Sequence, residues 1–337
     1  MRTPVYLLTG FLGSGKTTLL NAALRAPELA HTAVVVNELG EIGLDNLIIA
    51  QAVDNVVLLD AGCLCCANTS ALHETLADLA SRRASGALPP FERVIIETSG
   101  VADPAPLLNV LLGHPLVTGH YVLEAIVCVV DAQHFLESRE KYSELDKQAA
   151  LADRIVVTKG DLADPELVLP LLKDLNPEAE ISSSTVESPA FSVFFSLRKT
   201  IKARNLISSL GPLQPHGRGS SIRAFCFRPP SPVTWAGWSA WSRLVAAEFG
   251  DRLIRVKGLL RMEEGGEIAF VQGVQGVFHP PLRFRDWPDA DHGNRLLCVA
   301  RDLREAEIAV TLPALNTAPG TQAMYSLKDL QERQEQR

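Results

Sequence analysis

The chain has 337 residues, 47% hydrophobic and 21% charged, enough to bury the cores of two globular domains. Its net charge of −7 argues against a nucleic-acid binder, which needs clustered basic residues to displace phosphate counterions. No apolar segment approaches the roughly 20 residues needed to span a bilayer, so a cytoplasmic protein with no membrane partner is expected.

The apolar run after Arg2 has the outline of a signal peptide, but it feeds straight into a loop motif and is read as the first strand, residues 5–9. That motif, Gly10-Phe11-Leu12-Gly13-Ser14-Gly15-Lys16-Thr17-Thr18, fits G-x-x-x-x-G-K-[ST]. Gly10, Gly13 and Gly15 let the backbone, through Ser14 to Thr18, fold into a nest of N–H groups at a helix N-terminus, which cradles the α- and β-phosphates of a nucleotide. Lys16 reaches the β/γ oxygens and Thr17 offers its hydroxyl to Mg²⁺. Residues 16–25 follow as a helix.

A strand at 33–37 leads into Asn37-Glu38-Leu39-Gly40-Glu41-Ile42-Gly43, rich in acids and glycines. Such a segment can act as a switch that feels the γ-phosphate, with Glu38 in reach of magnesium or a softer metal. A strand at 56–60 then delivers Gly62-Cys63-Leu64-Cys65-Cys66, three of the six cysteines. Three thiolates make a soft site suited to Zn²⁺ or Cu(I), with Co²⁺ also feasible, and they leave one coordination position open for a metal that must be released. A disulfide between adjacent Cys65 and Cys66 would be strained. Cys128, Cys226 and Cys298 lie in apolar strands and read as core. His279 is retained only as a weak metal or substrate candidate.

The strand at 93–97 ends in Glu97, placed to hold Mg²⁺ directly or through water, and Gly100 follows with a backbone N–H for the γ-phosphate. Strands at 125–131 and 154–158 complete the alternation. The last ends in Thr158-Lys159-Gly160-Asp161, where Asp161 can accept from guanine N1–H and N2–H₂ and Lys159 can lay its stem over the base. Short apolar strands alternating with helices define an α/β fold: a mostly parallel sheet with helices on both faces and its chemistry at the carboxyl ends of the strands. This first domain is expected at 1–182. A linker with one helix near 193–210 follows at 183–220, a smaller α+β domain at 221–318 and a charged tail, helical over 326–337, at 319–337.

Together these residues resemble the CobW family of metallochaperone GTPases, relatives of the UreG and HypB nickel-insertion GTPases. The resemblance rests on the phosphate loop, the Asn37 segment, the C-x-C-C element, Glu97-Thr98-Ser99-Gly100-Val101-Ala102-Asp103-Pro104 and Thr158-Lys159-Gly160-Asp161. In the second domain it rests on Arg255-Val256-Lys257-Gly258 and Val271-Gln272-Gly273-Val274-Gln275. Thr158 stands where Asn is commoner. The resemblance implies GTP hydrolysis with Mg²⁺, a transition metal at the cysteines and a C-terminal domain that helps recognise a client.

The expected cycle follows. Mg·GTP orders the Asn37 segment and draws Cys63, Cys65, Cys66 and Glu38 around one ion, zinc by default or else Co²⁺ or another transition metal. Hydrolysis, with Lys16, Thr17 and Glu97 as the catalytic set, then releases the ion to a client apo-metalloprotein. No Gln or Arg finger is evident, so turnover is slow until raised by homodimerisation or by the client. Two other readings stay open: a metal sink or regulatory module that does not hydrolyse GTP, and a small-molecule kinase with a structural thiol site.

Overall fold

The computed structural model describes residues 2–36, 56–60, 69–183, 221–231, 233–288 and 291–318, without the side chains of 56–60 and 69–71. The expected switch segment with Glu38, the element holding Cys63, Cys65 and Cys66, the helix at 193–210 and the tail helix at 326–337 lie outside the described residues. Two compact units are present.

The first unit is built of parallel strands with helices between most of them among the described residues. Its elements are β1 (Thr3–Gly10), α1 (Lys16–Leu24), β2 (Thr32–Val36), β3 (Val56–Asp60), α2 (Thr69–Ala84), β4 (Arg93–Glu97), α3 (Ala105–Gly113), α4 (Pro115–Thr118), β5 (Tyr121–Asp131), α5 (Phe135–Ser138), α6 (Glu144–Leu151), β6 (Arg154–Thr158), α7 (Leu169–Leu175) and β7 (Glu180–Ser183). The strands form one seven-stranded sheet in the order β3-β2-β4-β1-β5-β6-β7. Every pairing is parallel.

The interior strands are rich in β-branched residues because helices cover both of their faces. All five residues of β2 and of β4 are buried. Tyr6 and Leu8 of β1, Leu20 and Leu24 of α1, Ile95 of β4 and Val127 of β5 share one core. The register brings the functional strand ends to a common edge. Leu8 lies opposite Glu97, Gly10 opposite Val129, and Asp131 opposite Thr158. Phosphate loop, acid-ended strand and base motif therefore share the carboxyl edge, where open parallel sheets bind ligands.

The second unit has elements β8 (Ile222–Phe227), α8 (Trp235–Phe249), β9 (Leu253–Arg261), β10 (Ile268–Val274), β11 (Val277–Phe278), β12 (Leu282–Phe284), β13 (Arg295–Arg301) and α9 (Glu305–Ala309). The sheet order is β11-β10-β9-β13-β8, with β12 on β10 and every strand pairing antiparallel. Thr234 caps α8 by accepting from the Gly237 N–H at 2.8 Å. The helix places Trp238 and Trp241 three residues apart on its buried face, where both rings meet Phe278 edge-on. Trp241 donates Nε1–H to the Thr311 hydroxyl at 2.9 Å.

Candidate functional site

The loop after β1 closes as a tight turn, with the Ser14 N–H donating to Phe11 O at 3.2 Å. Gly10 has φ +144, and a Cβ there would come within 2.4 Å of Val129 O. No other residue lets β1 turn so close to β5. Helix α1 starts without a side-chain cap and with no acid in its first turn. The partial positive charge of its N-terminus therefore faces the loop with no acidic side chain in the first turn to offset it. The Ser14 Oγ is buried and has no partner among the described residues. Both features fit a bound phosphate anion.

Lys16 is 8% exposed and donates to the loop's own carbonyls, Gly10 O at 2.9 Å and Phe11 O at 3.2 Å. The ammonium thus lies against the start of the loop, held by two of its carbonyls. Thr17, one residue on, donates its hydroxyl to Glu97 Oε1 at 2.7 Å. Glu97 is 4% exposed at the end of the adjacent strand. A hydroxyl and a buried carboxylate in contact form an all-oxygen donor pair suited to Mg²⁺.

The turn after Glu97 is fastened back to β1. The Thr98 N–H donates to Leu8 O at 2.9 Å, and its hydroxyl donates to the Thr9 hydroxyl at 3.0 Å. Gly100 then presses on the loop, since a Cβ there would stand 2.6 Å from the Leu12 nitrogen.

The base motif meets the loop from the other side. The Thr158 hydroxyl donates to Ser14 O at 2.7 Å and lies 3.2 Å from Val130 O. Lys159 takes a left-handed backbone, φ 59, and its ammonium meets Asp131 Oδ2 at 2.6 Å. Asp161 is exposed at the surface beyond it.

Asp131, which the sequence reading did not single out, organises this corner. Its Oδ1 accepts from the Gln133 N–H at 2.8 Å, and Oδ2 also meets His134 Nδ1 at 2.9 Å. Burial alone would raise its pKa. Hydrogen bonds from Lys159, His134 and the Gln133 N–H, with the Lys159 charge, outweigh that and hold the carboxyl below the usual aspartate value. The signal was present, since Asp131 ends an apolar strand level with Thr158.

Lys16, Thr17, Glu97, Gly100 and Thr158 thus surround one loop. Glu38, Cys63, Cys65 and Cys66 lie outside the described residues. Burial pushes the thiol of Cys128 up to about 12 and that of Cys226 to about 11, and raises Cys298 further, so these three stay protonated. His279 is buried, and burial lowers its pKa. Among the described residues, no group of three or more His, Cys, Asp or Glu could hold a metal ion.

A parallel sheet whose first strand runs through this loop into a helix, with an acid-ended strand beside it, defines a P-loop NTPase. Residues 4–183 match the CobW/HypB/UreG nucleotide-binding domain, and residues 222–315 match the cobalamin synthesis protein cobW C-terminal domain. The chain belongs to the CobW/HypB/UreG family.

It is 29% identical over 317 residues to the zinc chaperone YjiA of Escherichia coli K12, a match covering 92% of this chain and 98% of that one. It is 26% identical over 332 residues to the zinc-regulated GTPase metalloprotein activator 1 of Dictyostelium discoideum, covering 85% and 68%. The crystal structure of Zn(II)-bound YjiA GTPase from E. coli matches with a TM-score of 0.72 at 26% identity, over 94% of this chain and all of that one.

Proposed function

We propose that this chain is a GTP-hydrolysing metallochaperone that carries a transition metal, zinc by default, to a client apo-metalloprotein in step with its nucleotide state. The observation that carries the nucleotide half is the Thr17–Glu97 contact at 2.7 Å beside an uncapped helix N-terminus. The metal half is supported by the C-x-C-C sequence and by the zinc in the names of the relatives above.

On this reading Lys16 leaves Gly10 O and Phe11 O for the β/γ oxygens when GTP enters. Thr17 and Glu97 would hold Mg²⁺, which supplies neutralisation of charge on the transferring phosphoryl group. The Gly100 N–H faces the γ-phosphate, and Thr158, Lys159 and Asp161 select guanine. Cys63, Cys65, Cys66 and Glu38 bind the cargo ion. Homodimerisation or the client raises turnover. No helix among the described residues is long and apolar enough to cross a membrane, and the proposed place of action is the cytoplasm.

Zinc competition against a chromogenic chelator tests this, in the presence of GTP analogue, GDP or no nucleotide. A nucleotide-coupled carrier changes its zinc affinity about 5- to 150-fold between states. Equal affinity in all three would remove the coupling. Zinc binding without phosphate release, even with client present, would leave a metal sink.

A further inference from the structure

The turn Thr98-Ser99-Gly100-Val101-Ala102-Asp103 is braced from behind by two consecutive residues of α6. Gln148 is fully buried, and its Nε2 donates to Gly100 O and to Ala102 O, both at 3.1 Å. The neighbouring Lys147 meets Asp103 Oδ2 at 2.8 Å, with both side chains largely sheltered. The other oxygen of Asp103 accepts from the Ala105 N–H at 3.0 Å and so fixes the start of α3. In front, Gly100 lies against Leu12. The turn is therefore held between helix and loop, and its Gly100 N–H donates to no acceptor among the described residues.

Gln148 is an odd choice for packing alone. It shares the buried stripe of α6 with Leu145 and Ala149, and its Oε1 is buried with no partner among the described residues. An apolar side chain would leave no such oxygen stranded. What the amide supplies is two N–H groups for two main-chain carbonyls, which together set the orientation of the peptides around Gly100.

We propose that Gln148 is the positioning residue that aims the Gly100 N–H at the terminal phosphate, with Lys147–Asp103 as a second brace. Discrimination of triphosphate from diphosphate then depends on a helix outside every phosphate-binding motif. The proposal rests on the reading that Gly100 senses the γ-phosphate.

The test uses the full chain with Mg²⁺ and either GDP or a non-hydrolysable GTP analogue. Gln148→Met keeps length and bulk and removes both donors. It is expected to weaken the analogue about tenfold while GDP stays within about twofold. Lys147→Met, nearer the surface, is expected to shift the same ratio about threefold and serves if the first variant is too unstable to assay. A merely loosened fold weakens both nucleotides alike.

Amide exchange separates the layers of the argument. In the unaltered protein, residues 99–103 are expected to be better protected with the analogue than with GDP, and Gln148→Met to lose that difference. No difference in the unaltered protein overturns the reading of Gly100. A difference that survives in the variant, or an unchanged or equally weakened pair of affinities, overturns the role of Gln148 and leaves Gly100 standing.

Discussion

The Thr158 hydroxyl donates to the main-chain carbonyl of Ser14 at 2.7 Å, across 144 residues of sequence. The strand end that presents Lys159 and Asp161 is thereby fastened to the loop that presents the phosphate donors. On the proposed reading this fastening joins base site and phosphate site in one frame, so a guanine nucleotide would meet both without a separate ordering cost.

Replacing Thr158 by Val keeps the shape and removes the donor, leaving Ser14 O and Val130 O without it. Guanine nucleotide affinity is expected to fall by about 1–2 kcal/mol, roughly 5- to 30-fold. Thr158→Asn restores a donor and is expected to stay within about threefold of the unaltered protein. Titration of a fluorescent GDP decides the matter, and a Val variant that binds as tightly as the Asn variant would show that the link is dispensable.

Thr17 and Glu97 make the second testable pair. Thr17→Ala removes the hydroxyl that touches Glu97 and with it one of the two oxygen donors proposed for magnesium. The expected loss is on the order of 3 kcal/mol of transition-state stabilisation, about two orders of magnitude in turnover. Thr17→Ser should recover most of it. Phosphate release at saturating GTP, followed across a magnesium titration, is the measurement. Turnover of the Ala variant that matched the unaltered protein at every magnesium concentration would place the metal elsewhere.

A pH experiment addresses the second unit. Asp291 pairs with Arg228 through Oδ2 at 2.8 Å and with the fully buried Arg295 at 3.2 Å. Hydrogen bonding from Arg228 chiefly, against burial and with help from the Gly293 N–H and the Arg295 and Arg228 charges, holds its carboxyl down at about 2. The folded pKa lies below the unfolded one, so the contribution is present above the ordinary aspartate value. It is lost as pH falls towards 2. Asp291→Asn should therefore lower the unfolding temperature at pH 7, and the gap to the unaltered protein should close between about pH 4 and 2. Calorimetry at stepped pH reads this directly, and a gap independent of pH would exclude the carboxylate charge as its source.

The parallel sheet was legible because its strands carry continuous apolar runs, and β3, β4 and β6 span the expected residues 56–60, 93–97 and 154–158. β7 was missed. Glu180-Ile181-Ser182-Ser183 is a short polar edge strand that shows neither a run nor alternation. β13 starts one residue before the apolar stretch 296–299 that predicts it, because Arg295 is carried into the interior by Asp291, a partner no periodicity reveals. The phosphate loop and Glu97 announced themselves by local pattern, whereas Gln148 acts on a carbonyl 48 residues away. Such a contact exists only once β4 and α6 have packed. A glutamine inside an otherwise apolar helical stripe was its one trace in the sequence.

The two halves of the proposed cycle can be cut apart by single substitutions. Lys16→Ala removes the point charge for the β/γ oxygens and should abolish measurable GTP binding, while leaving the thiols able to take zinc in the nucleotide-free state. Cys65→Ser removes one soft donor, so zinc affinity should drop by at least about tenfold, because a hydroxyl is a far poorer ligand than a thiolate for this ion. GDP affinity should hardly change. The decisive arm is the cross term. Coupling between two sites is reciprocal, so if GTP tightens zinc, zinc must tighten GTP by the same factor. In Cys65→Ser that zinc-induced gain in GTP-analogue affinity should vanish, although the analogue still binds. Nucleotide affinity measured with and without zinc in the unaltered protein and in this variant gives the factor from the nucleotide side, and the zinc competition gives it from the metal side. Two equal factors describe one linked machine. A zinc-dependent gain that persisted without Cys65 would mean that the ion acts through some other group, and the thiol element would lose its place in the cycle.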